Sequence, residues 1–218
     1  MRAARSPLRS SRFPAVLFDF DGTLTHPDSL DFPALRAAIG CPPGTLILEY
    51  IDALPTEEER ILRRKILADF ELAAARSSVP NDGAEETVGL LRDHGVSVGI
   101  LTRNTRSSIM ASLANFTTIS ERDFQIIVTR ESEGRPKPHP DGVLAAARAL
   151  GVAPREMLVV GDFVFDIAAG KAAGSATVLL TNGRSASQMW TPHAAVSSEP
   201  DADYTIGALG ELAGILGI

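Results

Sequence analysis

The chain has 218 residues, 44% hydrophobic and 22% charged, with a formal net charge of −6. That balance suits one α/β domain, or a core domain carrying a small insertion, and argues against a disordered chain or a general nucleic-acid binder. No apolar run is long enough to cross a bilayer. The single cysteine, Cys41, can form neither an internal disulfide nor a metal cluster and reads as a small buried residue, which fits a reducing, cytoplasmic setting.

Residues 1–13 form a basic tail with Arg2, Arg5, Arg9 and Arg12 and no acid. The composition is like that of an organelle transit peptide, but the stretch is short and lacks an apolar stretch of its own, so it is read as a frayed tail. Residues 15–18 begin a series of short apolar runs, followed by 96–101, 125–128, 157–160 and 176–180. Each is too short for a helix and does not alternate, as expected of strands buried on both faces of a parallel sheet. Between them, helical patterns cover 84–94, 105–116, 140–150 and 166–173, three of them followed by glycine at a C-cap position. The predicted fold is α/β, a doubly wound, mainly parallel sheet. Residues 29–79 contain no strand pattern. They offer three helices, 32–39, 46–54 and 57–76, the last opened by Thr56 and Glu59 at capping-box spacing and striped by Ile61, Leu62, Ile66, Leu67 and Phe70. This reads as a small α-helical insertion after the first strand, dividing a core of 14–28 and 80–218.

Four segments offer chemistry, three at strand ends and one in a loop before a helix. Asp19-Phe20-Asp21-Gly22-Thr23 follows the first strand, and two carboxylates so close invite either a cation between them or a retained proton; an Asp-Gly turn is the structural alternative. Gly161-Asp162 with Asp166 follows the fourth strand. The set Asp19, Asp21, Asp162 and Asp166 is oxygen-only and suits a hard cation such as Mg²⁺; alternatively Asp166 is a helix cap and Asp162 a turn residue. Lys137 lies between Pro136 and Pro138, a stiffened cation suited to a phosphoryl group or merely an exposed turn lysine, and His139 beside it reads as a loop residue. Thr102-Arg103-Asn104 closes the second strand, with Thr102 and Arg103 as candidate phosphate contacts ahead of a helix N-terminus.

Taken together, the Asp19-x-Asp21-Gly22-Thr23, Thr102, Lys137 and Gly161-Asp162-x-x-x-Asp166 segments resemble the haloacid-dehalogenase-like hydrolase superfamily in order and spacing. The Lys-Pro-His-Pro-Asp-Gly run from Lys137 is similar to the phosphoglycolate-phosphatase-like branch, and the helical insertion resembles that family's cap. The resemblance implies a Mg²⁺-dependent phosphatase acting on a small-molecule phosphate ester. In it Asp19 would be the nucleophile that forms an aspartyl-phosphate, and Asp21 the acid and base. Asp19, Asp162, Asp166 and the main-chain carbonyl of Asp21 would hold the metal, while Thr102, Arg103 and Lys137 would bind phosphate. A phosphomutase, or a binding or regulatory protein that has kept the fold without turnover, is the alternative. Specificity is expected in the cap, hinged near 25–29 and 77–83.

Overall fold

A computed structural model describes residues 11–185 and 201–218; the basic tail predicted at 1–13 therefore lies almost wholly outside the described residues. The core strands are β1 (Ala15–Phe18), β2 (Ser97–Leu101), β3 (Ile126–Val128), β4 (Met157–Gly161), β5 (Ala176–Leu180) and β6 (Tyr204–Ile206). Among the described residues they form one sheet in the order β3-β2-β1-β4-β5-β6, every adjacent pair parallel. The chain steps outward from β1 to β3, then returns to lay β4 on the other side of β1. That reversal opens a crevice beyond the carboxyl ends of β1, β2 and β4, where open α/β sheets bind ligands.

Successive residues of each strand point to opposite faces, so a fully apolar strand feeds two cores. Val16 and Phe18 of β1 and Leu158 and Val160 of β4 enter one core with Val88 and Leu91 of α4 (Ala84–Asp93), Ile109 of α5 (Arg106–Leu113) and Leu212 of the short terminal helix Leu212–Leu216. Ala15 and Leu17, with Met157 and Val159, enter the other, packed by α6 (Asp141–Leu150) and α7 (Val164–Ala173).

Between β1 and α4 lie three helices, α1 (Phe32–Ile39), α2 (Ile47–Asp52) and α3 (Glu57–Ala75). Leu35, Ile39, Cys41, Ile51 and Leu67 form their own small core. Thr56 and Glu59 make the reciprocal capping box that their spacing predicts. The apolar stripe of α3 is only partly used: Leu67 is buried, whereas Ile61 and Leu62 are 58% and 54% exposed. α2 meets this end of α3 on another side, where Arg64 donates to Asp52 Oδ1 at 2.7 Å, and Ile61 and Leu62 are left facing outward. The segment leaves and rejoins the core at one place, where Thr25 and Pro80 form an antiparallel bridge.

Candidate active site

β1 ends at Phe18, but its ladder runs one residue further: the Asp19 N–H donates to the Val160 carbonyl at 2.8 Å. The chain then turns back, and the Phe20 carbonyl accepts from Leu24 and Thr25. Gly22 makes this turn at φ +79°, and a Cβ there would stand 2.5 Å from Asp162 Oδ2. Glycine is thus required both by the left-handed backbone and by the approach of the Asp162 carboxylate. At the end of β4 a Cβ on Gly161 would fall 2.1 Å from Asp166 Cγ. The missing side chain lets the first turn of α7 bring Asp166 against the strand end. Phe163 N–H fixes Asp166 Oδ2 at 3.1 Å, leaving Oδ1 free to face inward.

Asp19, Asp162 and Asp166 each offer a carboxylate oxygen within 4.8 Å of the others. Lys137, 4% exposed, reaches in from the loop before α6, its Nζ 2.6 Å from Asp19 Oδ1 and 2.5 Å from Asp166 Oδ1. Asp21 points elsewhere. Its carboxyl accepts from Thr102 Oγ1 at 3.4 Å and from Asn104 Nδ2 at 3.1 Å, outside the three-acid cluster. Arg184, after β5, donates to Asp162 Oδ2 at 3.0 Å. The Asp-Gly-Thr turn is held from behind: Asn182 Nδ2 donates to the Gly22 carbonyl, and Asn81 Nδ2 donates to the Thr23 carbonyl and to Asn182 Oδ1.

Four carboxyl groups here face two cations, Lys137 and Arg184. Burial, then the Asp19 charge, raises Asp21 to about 6. Burial, then Asp19 and Asp166, raises Asp162 to about 7. Burial raises Asp166 to about 6 against the pull of Lys137. Burial alone would lower Lys137, but the charges of Asp166 and Asp19 outweigh it and hold the lysine as a cation. Asp21, Asp162 and Asp166 resist ionisation because burial, and after it neighbouring negative charge, disfavours the charged form. An all-oxygen donor set with that deficit fits a hard divalent cation.

The fold thus brings together Asp19, Lys137, Asp162 and Asp166, with Asp21 and Thr102 alongside. Arg103, a candidate phosphate contact, instead turns to the helical insertion: its Nη2 lies 2.6 Å from Glu49 Oε1 on α2, and its guanidinium stacks 4.8 Å above the Phe165 ring. Asn104 and Arg184 touch the site without having been singled out. Asn104 stood within the Thr102-Arg103-Asn104 segment, and Arg184 follows a strand ending at the same sheet edge, which was the available signal for each.

A family model described as haloacid dehalogenase-like hydrolase matches residues 13–174. The chain belongs to the haloacid dehalogenase-like hydrolase family. An uncharacterized hydrolase of Saccharomyces cerevisiae is 39% identical over 170 residues, covering 77% of each chain. Phosphoglycolate phosphatase of Escherichia coli strain K12 is 34% identical over 149 residues, 68% of this chain but only 56% of its own length. A hydrolase of Pseudomonas syringae shares the fold with a TM-score of 0.74 at 22% identity, over 94% of this chain and 98% of that one. The chain is therefore a hydrolase with the Rossmann-like core of this family. Haloacid dehalogenase-like hydrolases generally use a divalent metal, and the Asp19, Asp162 and Asp166 cluster is where one fits. No helix among the described residues is long and apolar enough to cross a membrane.

Proposed function

We propose that the chain is a Mg²⁺-dependent phosphatase that hydrolyses a small-molecule phosphate monoester through a phosphoryl group carried on Asp19. The observation that carries this reading is the carboxyl of Asp21, held by Thr102 and Asn104 close to Asp19 and raised to about 6. A hydrolase that expels halide needs no proton donor, whereas an alkoxide leaving group does. An acid whose pKa is raised toward neutrality is poised to supply one.

In this mechanism an Asp19 carboxylate oxygen attacks phosphorus, a bond to Asp19 forms, and the ester oxygen leaves with the proton of Asp21. Asp21, now ionised, takes a proton from water as that water attacks the phosphoryl-Asp19, restoring both acids. Lys137 offers its ammonium to the phosphoryl oxygens as charge redistributes, and Thr102 its hydroxyl. Asp19, Asp162 and Asp166, with the main-chain carbonyl of Asp21, would hold Mg²⁺, which when bound screens the repulsion between carboxylate and phosphate.

Residues 29–79 are read as a cap over the crevice, able to exclude water and to carry specificity. A closed cap leaves room for a small ester and not for a folded protein. The Escherichia coli relative's name makes phosphoglycolate the first ester to try. The test is phosphate release from a panel of small esters with Mg²⁺ and with chelator. Release that persists fully in chelator would overturn the metal requirement, and no turnover of any ester would overturn the reading itself.

A further inference from the structure

The mechanism leaves one buried ion pair unused. Glu71 of α3, 7% exposed, receives two hydrogen bonds from Arg130 in the loop after β3, Nη2 to Oε2 at 2.6 Å and Nη1 to Oε1 at 3.1 Å. Taking such a pair out of water is costly, so a buried pair is weak evidence of added stability and invites a search for what it holds in place. Arg130 does not end at Glu71. Its Nη1 also donates to the Arg103 carbonyl at 3.1 Å, and its backbone N–H donates to the Asn104 carbonyl at 3.1 Å. Asn104 in turn reaches both oxygens of Asp21 with Nδ2, at 3.1 and 3.3 Å. The Asn104 amide is itself oriented, because its Oδ1 accepts from the Thr105 N–H at 2.7 Å.

We infer that Arg130, seated by Glu71, is a positioning residue for the leaving-group acid, acting on Asp21 through the 103–104 backbone and the Asn104 amide. Arg130 holds two consecutive carbonyls, those of Arg103 and of Asn104, whose own side chain grips the acid, and Glu71 leaves its fork one orientation. None of the three touches the three-acid cluster. A fault in the relay therefore misaims the proton and spares the nucleophile and the metal ligands. Small misplacements of a reacting group cost large factors in rate.

This inference rests on the reading of Asp21 as the acid, and its test separates the two. The parent enzyme, Asp21→Asn, Asn104→Ala, Arg130→Met and Glu71→Gln are compared on 2,4-dinitrophenyl, 4-nitrophenyl and phenyl phosphate, with kcat and KM measured for each. Protonation matters least for dinitrophenolate and most for phenolate, so loss of a well-aimed acid steepens the dependence of kcat on leaving group. We expect Asp21→Asn to steepen it most. Asn104→Ala and Arg130→Met should slow phenyl phosphate about tenfold while changing dinitrophenyl phosphate less than about twofold, with KM nearly constant. Glu71→Gln, which keeps size and one acceptor, should move the same way by a smaller factor; being nearly isosteric, it decides the matter should Arg130→Met fail to fold. A purely structural pair would lower all three esters by one factor, and that result, with Asp21→Asn still steep, overturns the inference and leaves the acid standing. A flat response of Asp21→Asn removes the acid assignment and the inference with it.

Discussion

Asp19 and Asp21 are two residues apart, yet they meet different partners. Asp19 is ion-paired with Lys137, while Asp21 rests on the neutral Thr102 and Asn104. Such a division lets two carboxyl groups at one strand end take two roles. Asp19→Asn should abolish formation of an acid-stable phosphoprotein as well as turnover, which radiolabelled phosphate transfer would detect. Gly161→Ala should weaken divalent-ion affinity far more than an ordinary surface change, because its Cβ would stand within 2.3 Å of Asp166 atoms and displace that carboxylate. Calorimetric Mg²⁺ titration checks this, and an affinity equal to the parent's would contradict it. At this scale much was legible. Asp19 and Asp162 each follow a buried strand, and Lys137 is stiffened by prolines, so local pattern marked them. Glu71 and Arg130 were not marked, since they are 59 positions apart in sequence and their meeting is a product of packing alone.

At the scale of elements, the sequence marks β1, β2, β4 and β5, largely apolar and largely buried, and also β3, a short apolar run that is only partly buried. β6 escaped notice because its three residues include exposed Thr205 and half-buried Tyr204, too little apolar sequence to stand out. α7 begins two residues before the predicted start, so Asp166 is its third residue instead of its first. The helical insertion was legible from its helical period, but not its grip on the core. Two acids on it, Glu49 and Glu71, meet two core arginines, Arg103 and Arg130. The first pair is the more exposed, and exposed pairs contribute about 0–1 kcal/mol. Glu49→Ala should therefore leave the melting temperature nearly unchanged and free the Arg103 guanidinium; thermal denaturation tests the first half. Replacing residues 29–79 by a short linker should retain some turnover of 4-nitrophenyl phosphate and lose preference among natural esters. A folded deletion variant with the parent's preferences would assign specificity to the core.

At the scale of the whole molecule, the acid cluster links stability to both pH and metal. Asp162, Asp166 and Asp21 are raised to about 7, 6 and 6 in the folded chain, from an ordinary value near 4 when it is unfolded. Between those limits the native state binds more protons than the unfolded one, so unfolding free energy falls as pH rises. The metal-free protein should thus lose stability progressively from about pH 4 to pH 7. Glu71, raised to about 7 by burial despite Arg130, contributes in the same direction and window but lies outside the cluster. Mg²⁺ would compensate the cluster and not Glu71. With the ion at a hundred times its dissociation constant the native state gains about 2.7 kcal/mol, or roughly 5–10 °C in melting temperature for a domain of this size. That gain should widen as pH rises from 5 to 8, because at low pH protons compete for the same oxygens. Melting curves with Mg²⁺ and with chelator across this range measure it directly. Glu71→Gln should flatten the part of the pH slope common to both curves, to which Asp21 also contributes, whereas the difference between them belongs to the acids that would hold the ion. A Mg²⁺ shift that stays constant over the whole range would mean that the carboxylates are not what the ion meets.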